Sequence, residues 1–378
     1  MKSLLSRLTA QRNEMLMCLR QLVELESPSD DKAALDRLGQ HLAGEFEKLS
    51  GRIRFHKQER AGDHLQVDFP GSGKPLLILG HMDTVWDVGT LASMPFRVAQ
   101  GRAFGPGSFD MKAGVVQAFY AIRALQQLHR RLPHSLTVLL VADEEIGSRS
   151  SRPVTEALAK KSHGVLVLEP AQGPKGALKT ARKGVGAYQV KVQGREAHSG
   201  LDPAKGANAV LELARQLLVI EKFTDGKRGI TVNPGLVRGG TRVNVIAGEA
   251  SAEVDARVSR FMDIPYVDKK FRSLKPFDKR CKIEVSGGIG RPPLERSKKV
   301  VELFTLAQSL ARELGFTLEE SSAGGGSDGN FTAALGIPTL DGLGAVGEGA
   351  HARHESVIIA EMPRRAALLA RLVESIPA

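Results

Sequence analysis

The sequence predicts an α/β protein with a largely parallel sheet, interrupted by a smaller inserted α+β domain of ferredoxin-like pattern. Three observations predict it. Short apolar runs of strand length, Leu76 to Leu79, Leu136 to Val141 and Val165 to Leu168, are separated by helical patterns. After about residue 180 the order of patterns becomes β-α-β-β-α-β. Beyond Gly287-Gly288 and Pro292-Pro293 the chain returns to long helices.

Each element has its own signal. Met15, Leu19, Leu22 and Val23 recur at helical spacing and predict a helix over 12–26 that stops at Ser27-Pro28. A second amphipathic helix is predicted over 31–49. The run 76–79 reads as a buried strand, followed by a helix over 112–130 with Val115, Phe119 and Ile122 on one face. Strands at 136–141 and 165–168 complete the alternation that builds a parallel sheet. Tyr188 to Val192 alternates as a half-exposed strand and opens the inserted domain. A helix over 206–222, strands at 229–238 and 250–258, a helix near 264–274 and a strand at 281–286 follow. Helices over 298–314 and 362–375 close the chain. With 378 residues the chain exceeds one ordinary core. The reading is one discontinuous domain, 1–181 and 292–378, with 182–291 inserted into it.

Composition narrows the function classes. The net charge of +11 is scattered, aromatic residues are only 5%, and no nucleic-acid motif accompanies the basic residues. A solvated basic surface that attracts anionic substrates is the better reading, with no nucleic-acid partner. No stretch approaches the roughly 20 apolar residues of a membrane span. Arg7, Arg12 and Glu14 interrupt the N-terminus before a signal-peptide core forms. The two cysteines, Cys18 and Cys281, lie far apart without a CxxC partner, so a reducing, cytoplasmic setting is expected. Any metal must then be held by histidines and carboxylates.

Acids and histidines follow the strand candidates directly. LLILG runs into His81-Met82-Asp83, TVLLVA into Asp143-Glu144-Glu145, and VLVL into Glu169-Pro170. Asp110 stands in GPGSFDMKAG at the mouth of the long helix. Ligands of open α/β sheets bind outside the carboxyl ends of the strands, so these tails are expected to converge. Singly, each has an ordinary explanation: a loop histidine, a helix-capping Asp110, a solvated Glu144-Glu145 turn. Together they crowd acids that repel one another unless cations neutralise them. Oxygen and imidazole donors without thiolate suit catalytic zinc, and cobalt or manganese fit the same donors. Two ions bridged by one carboxylate can polarise an amide carbonyl and acidify a water, while a further carboxylate takes the water's proton. Adjacent Glu144 and Glu145 side chains diverge, so one can bind metal while the other faces that water. The two-residue spacing puts His81 and Asp83 on one side of an extended segment, where Asp83 can bond the far nitrogen of His81.

HMDTVW, GPGSFDMKAG, DEEIGS, LEP, EAHSG, GGGSDG and GAHARHES resemble, in this order and over nearly the whole chain, the cocatalytic-zinc aminoacylase and exopeptidase family. That family includes acetylornithine deacetylase, succinyl-diaminopimelate desuccinylase and tripeptide aminopeptidase. The folate-cleaving glutamate carboxypeptidases are most similar, through HMDTV, PFRV, GANA at 206–209, GRP at 290–292 and PRR near the C-terminus. The resemblance implies a zinc-exopeptidase catalytic domain with an inserted lid and dimerisation domain, and a homodimer. It implies that His81 and Glu169 hold one zinc ion, Glu145 and His351 a second, and that Asp110 bridges them. Glu144 becomes the general base, Asp83 the orienter of His81, and His198 the group that reaches the partner's site to stabilise the oxyanion. Asn244 in RVNVI, Arg257 in DAR and Arg291 in GRP match substrate-contacting positions. The substrate implied is a peptide or N-acyl amino acid, cut next to a C-terminal glutamate, with acetylornithine-type deacylation as the alternative.

There are departures and open points. Met111 stands where many members carry a second Asp, in a peptide bond expected to be cis. His354, three residues past His351, leaves the last ligand ambiguous by spacing, with His351 favoured. The segment ALKTARK at 177–183 is more basic than its counterpart in folate-cleaving enzymes. Its Lys179, Arg182 and Lys183 add the positive charge that a second carboxylate on the substrate calls for.

Overall fold

The computed structural model describes residues 2–128 and 133–376. Helices α1 (Lys2–Ala10), α2 (Arg12–Glu24) and α3 (Lys32–Glu47) come first, then strands β1 (Arg52–His56), β2 (His64–Phe69) and β3 (Leu76–His81). A short hairpin, β4 (Arg97–Ala99) and β5 (Arg102–Phe104), precedes α4 (Ala113–Gln127), β6 (Leu136–Val141), α5 (Arg152–Lys161), β7 (Gly164–Val167) and β8 (Leu178–Arg182). Next come β9 (Gly184–Gln193), β10 (Ala197–His198), α6 (Ala209–Glu221), β11 (Thr231–Gly239), β12 (Val245–Ile246), β13 (Glu249–Val258), α7 (Ile264–Arg272) and β14 (Lys282–Arg291). The chain closes with α8 (Lys298–Glu313), β15 (Glu320–Ala323), α9 (Gly329–Ala334), β16 (Thr339–Leu340), β17 (Gly347–Glu348), β18 (Ser356–Ile358) and α10 (Glu361–Ser375).

Two units are formed: 1–181 with 296–323 and 327–378, and 182–295 with 324–326. The first is built on a six-stranded sheet of order β1-β2-β6-β3-β7-β16. β6, β3, β7 and β16 run parallel, and β2 and β1 add an antiparallel edge. Alternation along β3 shows why it is apolar throughout. Leu76 and Ile78 join the core shared with α4 and α10, whereas Leu77 and Leu79 pack on the other face with Leu139, Val141 and Val165. A strand covered on both sides cannot alternate with polar residues. Truncating Leu79 to Ala would cost about 2–5 kcal/mol.

Asp31 starts α3 by accepting from the Ala34 N–H at 2.9 Å, and Ser297 does the same for α8 through Val300. The expected one-sided α4 is instead buried nearly all round from Ala113 to Leu125. Gly114 allows that close fit, because a Cβ there would meet the Leu168 carbonyl oxygen at 2.4 Å. No helix among the described residues is long and apolar enough to cross a membrane.

The second unit carries a four-stranded antiparallel sheet of order β11-β13-β9-β14. Taken along the chain, its strands sit second, third, first, fourth, with α6 and α7 between them: the ferredoxin-like arrangement. Tyr188, Val190 and Val192 point into its core with Val254, Ala256, Leu213 and Phe271. The Tyr188 and Phe271 rings stack with centroids 3.9 Å apart. The other face of β9 carries Lys191 and Gln193, exposed, so this sheet alternates where the parallel one does not.

Candidate active site

The parallel strands of the first unit deliver their acids to one place. β3 ends on His81, the turn after β6 carries Glu144 and Glu145, and Glu169 follows β7 by two residues. His81 Nε2 lies 3.3 Å from Asp110 Oδ1 and 3.7 Å from Glu169 Oε1. His351 Nε2 lies 3.1 Å from Glu145 Oε1 and 3.5 Å from the other oxygen of Asp110, Oδ2. Two triads result, His81-Asp110-Glu169 and Asp110-Glu145-His351, each with its donor atoms within 4.8 Å of one another. Asp110 belongs to both and gives one oxygen to each.

The donors fit metal ions. Ligands about 2.1 Å from a tetrahedral zinc stand about 3.4 Å apart, and the four separations above bracket that value. Electrostatics agrees. Burial alone would push the His81 imidazole down, but hydrogen bonds to Asp110 and Asp83 hold it well above its ordinary range. Hydrogen bonds to Asp110 and Glu145 push half-exposed His351 up to about 10. Asp110, despite its burial, is held far below the usual carboxylate range by the two imidazoles. The acids demand positive charge, which protons supply here and a divalent cation would supply more strongly.

Asp110 does not cap α4. It sits in a non-helical turn, φ −112°, ahead of the helix, and the Asp110-Met111 peptide bond is cis. His351 has a left-handed φ of 61°, rare for a residue with a Cβ. His354 enters neither triad. His81 meets Asp83 on its Nδ1 side, through both main chain and side chain. Its Nδ1 is 2.9 Å from the main-chain oxygen of Asp83 and 3.5 Å from the Asp83 carboxylate. That carboxylate, fully buried, also accepts from the Ser29 hydroxyl at 2.7 Å and the main-chain N–H groups of Glu144 and Glu145 at 3.2 and 3.1 Å. Asp83 thereby ties the His81 strand end to the turn bearing both glutamates.

Sequence reasoning passed over Ser29, Trp86 and Glu355. Glu355 is buried and accepts from the Trp86 indole at 2.8 Å and from the N–H groups of Gly107, Phe109 and Asp110 at 2.9, 2.8 and 3.0 Å. Its only sequence signal is its place in GAHARHES. Burial pushes its carboxyl upward, against the pull of those donors.

The remaining expected residues belong to the second unit. His198 is exposed and pairs through β10 with Val245, and the Asn244 carbonyl accepts from Ser199 N–H at 3.0 Å, so His198 and Asn244 share one small ladder. His198 Nδ1 accepts from the N–H groups of Gly200 and Leu201, both at 3.1 Å, which leaves the proton of the neutral ring on Nε2. Arg257 pairs with Asp255 at 3.0 Å and donates to the Gly324 carbonyl at 2.9 Å. Arg291 ends β14 opposite Val185. Arg182 is buried and donates to the carbonyls of Gly325 and Gly326 at 3.3 and 2.8 Å. It therefore holds the glycine turn. Lys179 is buried as well.

A model of peptidase family M20/M25/M40 matches residues 77–375. Carboxypeptidase G2 of Pseudomonas sp. (strain RS-16) is 30% identical over 97% of this chain and 90% of its own length. Succinyl-diaminopimelate desuccinylase of Stenotrophomonas maltophilia (strain R551-3) is 28% identical over 80% of this chain and 84% of its own. In fold, the crystal structure of aminopeptidase PepT from Bacillus cereus superposes with a TM-score of 0.77 at 21% identity, covering 96% of this chain and 98% of that one.

Proposed function

The chain belongs to peptidase family M20/M25/M40, and from that premise we propose that it is a two-metal carboxypeptidase that cuts the amide bond to a C-terminal glutamate. Membership makes it a metallohydrolase of the peptidase and amidohydrolase kind. The observation that carries the two-metal part of this reading is Asp110, whose two oxygens face one imidazole each. In this reading His81, Asp110 and Glu169 hold one ion and Asp110, Glu145 and His351 the other. Zinc suits the donors, with cobalt or manganese as substitutes. When bound, such ions supply Lewis acidity, which polarises the amide carbonyl and makes a water molecule reactive at neutral pH.

The chain's own groups do the rest. Glu144 takes a proton from the attacking water and passes it to the amide nitrogen as the C–N bond breaks. The Asp83 carbonyl on Nδ1 keeps the Nε2 lone pair of His81 available, and the Asp83 carboxylate steadies the turn of the base. His198, with its proton on Nε2, donates to the oxyanion that develops on the carbonyl, from the partner subunit of a homodimer as the resemblance implies. Two unpaired cysteines fit a reducing, cytoplasmic compartment.

Glutamate offers two carboxylates, and both need cations. Arg257 and Arg291 supply planar forks, and Asn244 a neutral donor. Burial and the neighbouring charge of Arg257 push the Lys183 ammonium below its ordinary range, a like-charge strain that an anion relieves. The desuccinylase relative favours a second reading, deacylation of N-acyl amino acids on the same centre.

A substrate panel separates the two. We expect kcat/KM for N-aminobenzoyl- or peptidyl-glutamate to exceed that for N-acyl-alanine and N-acyl-leucine, and an amidated C-terminus to stop cleavage. If neutral aliphatic substrates win by tenfold, about 1.4 kcal/mol, or if only N-acetyl groups are removed, deacylation takes its place.

A further inference from the structure

Three segments meet beside Asp110: the loop after β3 that leads from Asp83 to Trp86, the turn 105–112 that contains Asp110, and the loop 349–355 that presents His351. They come from distant parts of the chain, and one carboxylate touches all three. Oε2 of Glu355 accepts from the Trp86 indole and the Gly107 N–H at 2.8 and 2.9 Å, and Oε1 from the Phe109 and Asp110 N–H groups at 2.8 and 3.0 Å. Glu355 stands four residues past His351, and its own N–H bonds the Ala352 carbonyl inside the His351 loop.

We propose that Glu355 is a positioning residue that sets the distance between Asp110 and His351, and so the geometry of the cation site that these two share with Glu145. This rests on the two-metal reading above. The logic is geometric. Within the turn 105–112 the Ser108 and Lys112 N–H groups find carbonyls of the turn, whereas those of Gly107, Phe109 and Asp110 go to Glu355, a carboxylate with four lone-pair directions. Because the carboxylate belongs to the His351 loop, the turn cannot shift without moving His351. An amide of the same size cannot substitute. Each oxygen of Glu355 receives two N–H groups, so glutamine must turn its NH2 toward two donors.

Cobalt(II) titration of full-length Glu355→Gln, followed by calorimetry and by the d–d absorption band, tests this without using activity. We expect the metal-free variant to keep its far-UV circular dichroism. Its cobalt affinity should fall by about 10–100-fold, the usual cost of losing such an outer partner, and the band should change shape. Wild-type affinity and an unchanged band in folded variant would overturn the proposal and leave the two-metal reading intact. Wild-type protein that takes up no pair of cobalt ions would overturn both. Should the glutamine variant not fold, Trp86→Phe removes one of the four donors and keeps the carboxylate. A several-fold loss of affinity is then expected, and wild-type behaviour would overturn the proposal.

Discussion

Two acids of the first unit, Asp63 buried and Asp110 largely shielded from solvent, keep different company. Asp63, 3% exposed, meets the Lys32 and Lys57 ammoniums at 2.8 and 2.6 Å and the Gln58 N–H at 2.9 Å. Asp110 meets imidazoles at 3.3 and 3.5 Å, and Glu169 and Glu145 crowd against the same rings. A lysine brings a permanent charge, and Asp36, 2.9 Å from Lys32, supplies the second negative charge, so the Asp63 group is closed and neutral as it stands. An imidazole is charged only while protonated, and once neutral it offers a lone pair. Burial is common to both sites. The partner's charge is what separates an acid that serves the fold from one that awaits a cation.

The comparison breaks most sharply at the reacting group, which belongs to neither category. Glu144→Gln should lower kcat by about 10²–10⁴ or more, with metal content unchanged by elemental analysis. If Glu144→Gln loses an ion while Glu145→Gln keeps both, the roles of the pair are reversed. The same variant retains His198. Mixed with inactive His198→Ala under conditions of subunit exchange, it should return part of the activity if His198 acts across a dimer.

Metal removal comes next in size. A cation does for Asp110 what Lys32 and Lys57 do for Asp63, so chelation should lower Tm and abolish turnover. An ion present at a thousandfold over its Kd stabilises by about 4 kcal/mol. The Asp63 region should be indifferent: Asp63→Asn should shift Tm by the same amount with and without metal. Equal Tm values for loaded and stripped wild-type protein would show that the acids around Asp110 are satisfied without a cation.

How much of this was legible in sequence follows from where each signal resides. β3, β6 and β7 announce themselves as apolar runs, and their parallel alignment carries His81, Glu144, Glu145 and Glu169 to one edge of the sheet. Asp110 was legible through the strand-helix order around it. The choice between His351 and His354 was not, because it depends on a left-handed turn at His351 that spacing does not encode. Ser29 and Glu355 escaped for another reason. Their partners are a buried carboxylate and main-chain N–H groups, which have no sequence pattern. RIRFH and HLQVDF, which form β1 and β2 at the antiparallel edge, alternate polar with apolar residues and so carried a strand signal of their own, but neither is an apolar run of the kind that marks β3, β6 and β7. Charge alone says nothing of placement: Lys179 and Arg182 are both buried, and Arg182 donates to two glycine carbonyls.

The smallest effect tests the closed half of the comparison through pH. Burial alone would raise the Asp63 carboxyl, but hydrogen bonds from Lys32, Lys57 and the Gln58 N–H override it and hold the group down at about 2, against an ordinary 3.8. A depressed carboxyl contributes stability that is fully present above its unfolded pKa and is lost as pH falls through the folded one. The window is therefore about pH 4 down to about pH 2. Lys57 is largely exposed and solvent screens its share, so the contribution at neutral pH is about 1–2 kcal/mol rather than the full 1.36 kcal/mol per pKa unit. Urea unfolding of wild type and Asp63→Asn, both metal-free, should show that gap constant from pH 7 to 5 and shrinking below pH 4. Using the difference between two chains cancels the other carboxylates, and stripping the metal removes proton competition at the Asp110 centre. A gap that widens on acidification, or one that stays constant below pH 6 and changes as pH rises from about 6.5 to about 10, where the raised imidazoles lose their protons, would mean that the stability of this region follows the histidine cluster. The distinction between lysine-paired and imidazole-paired acids would then fail.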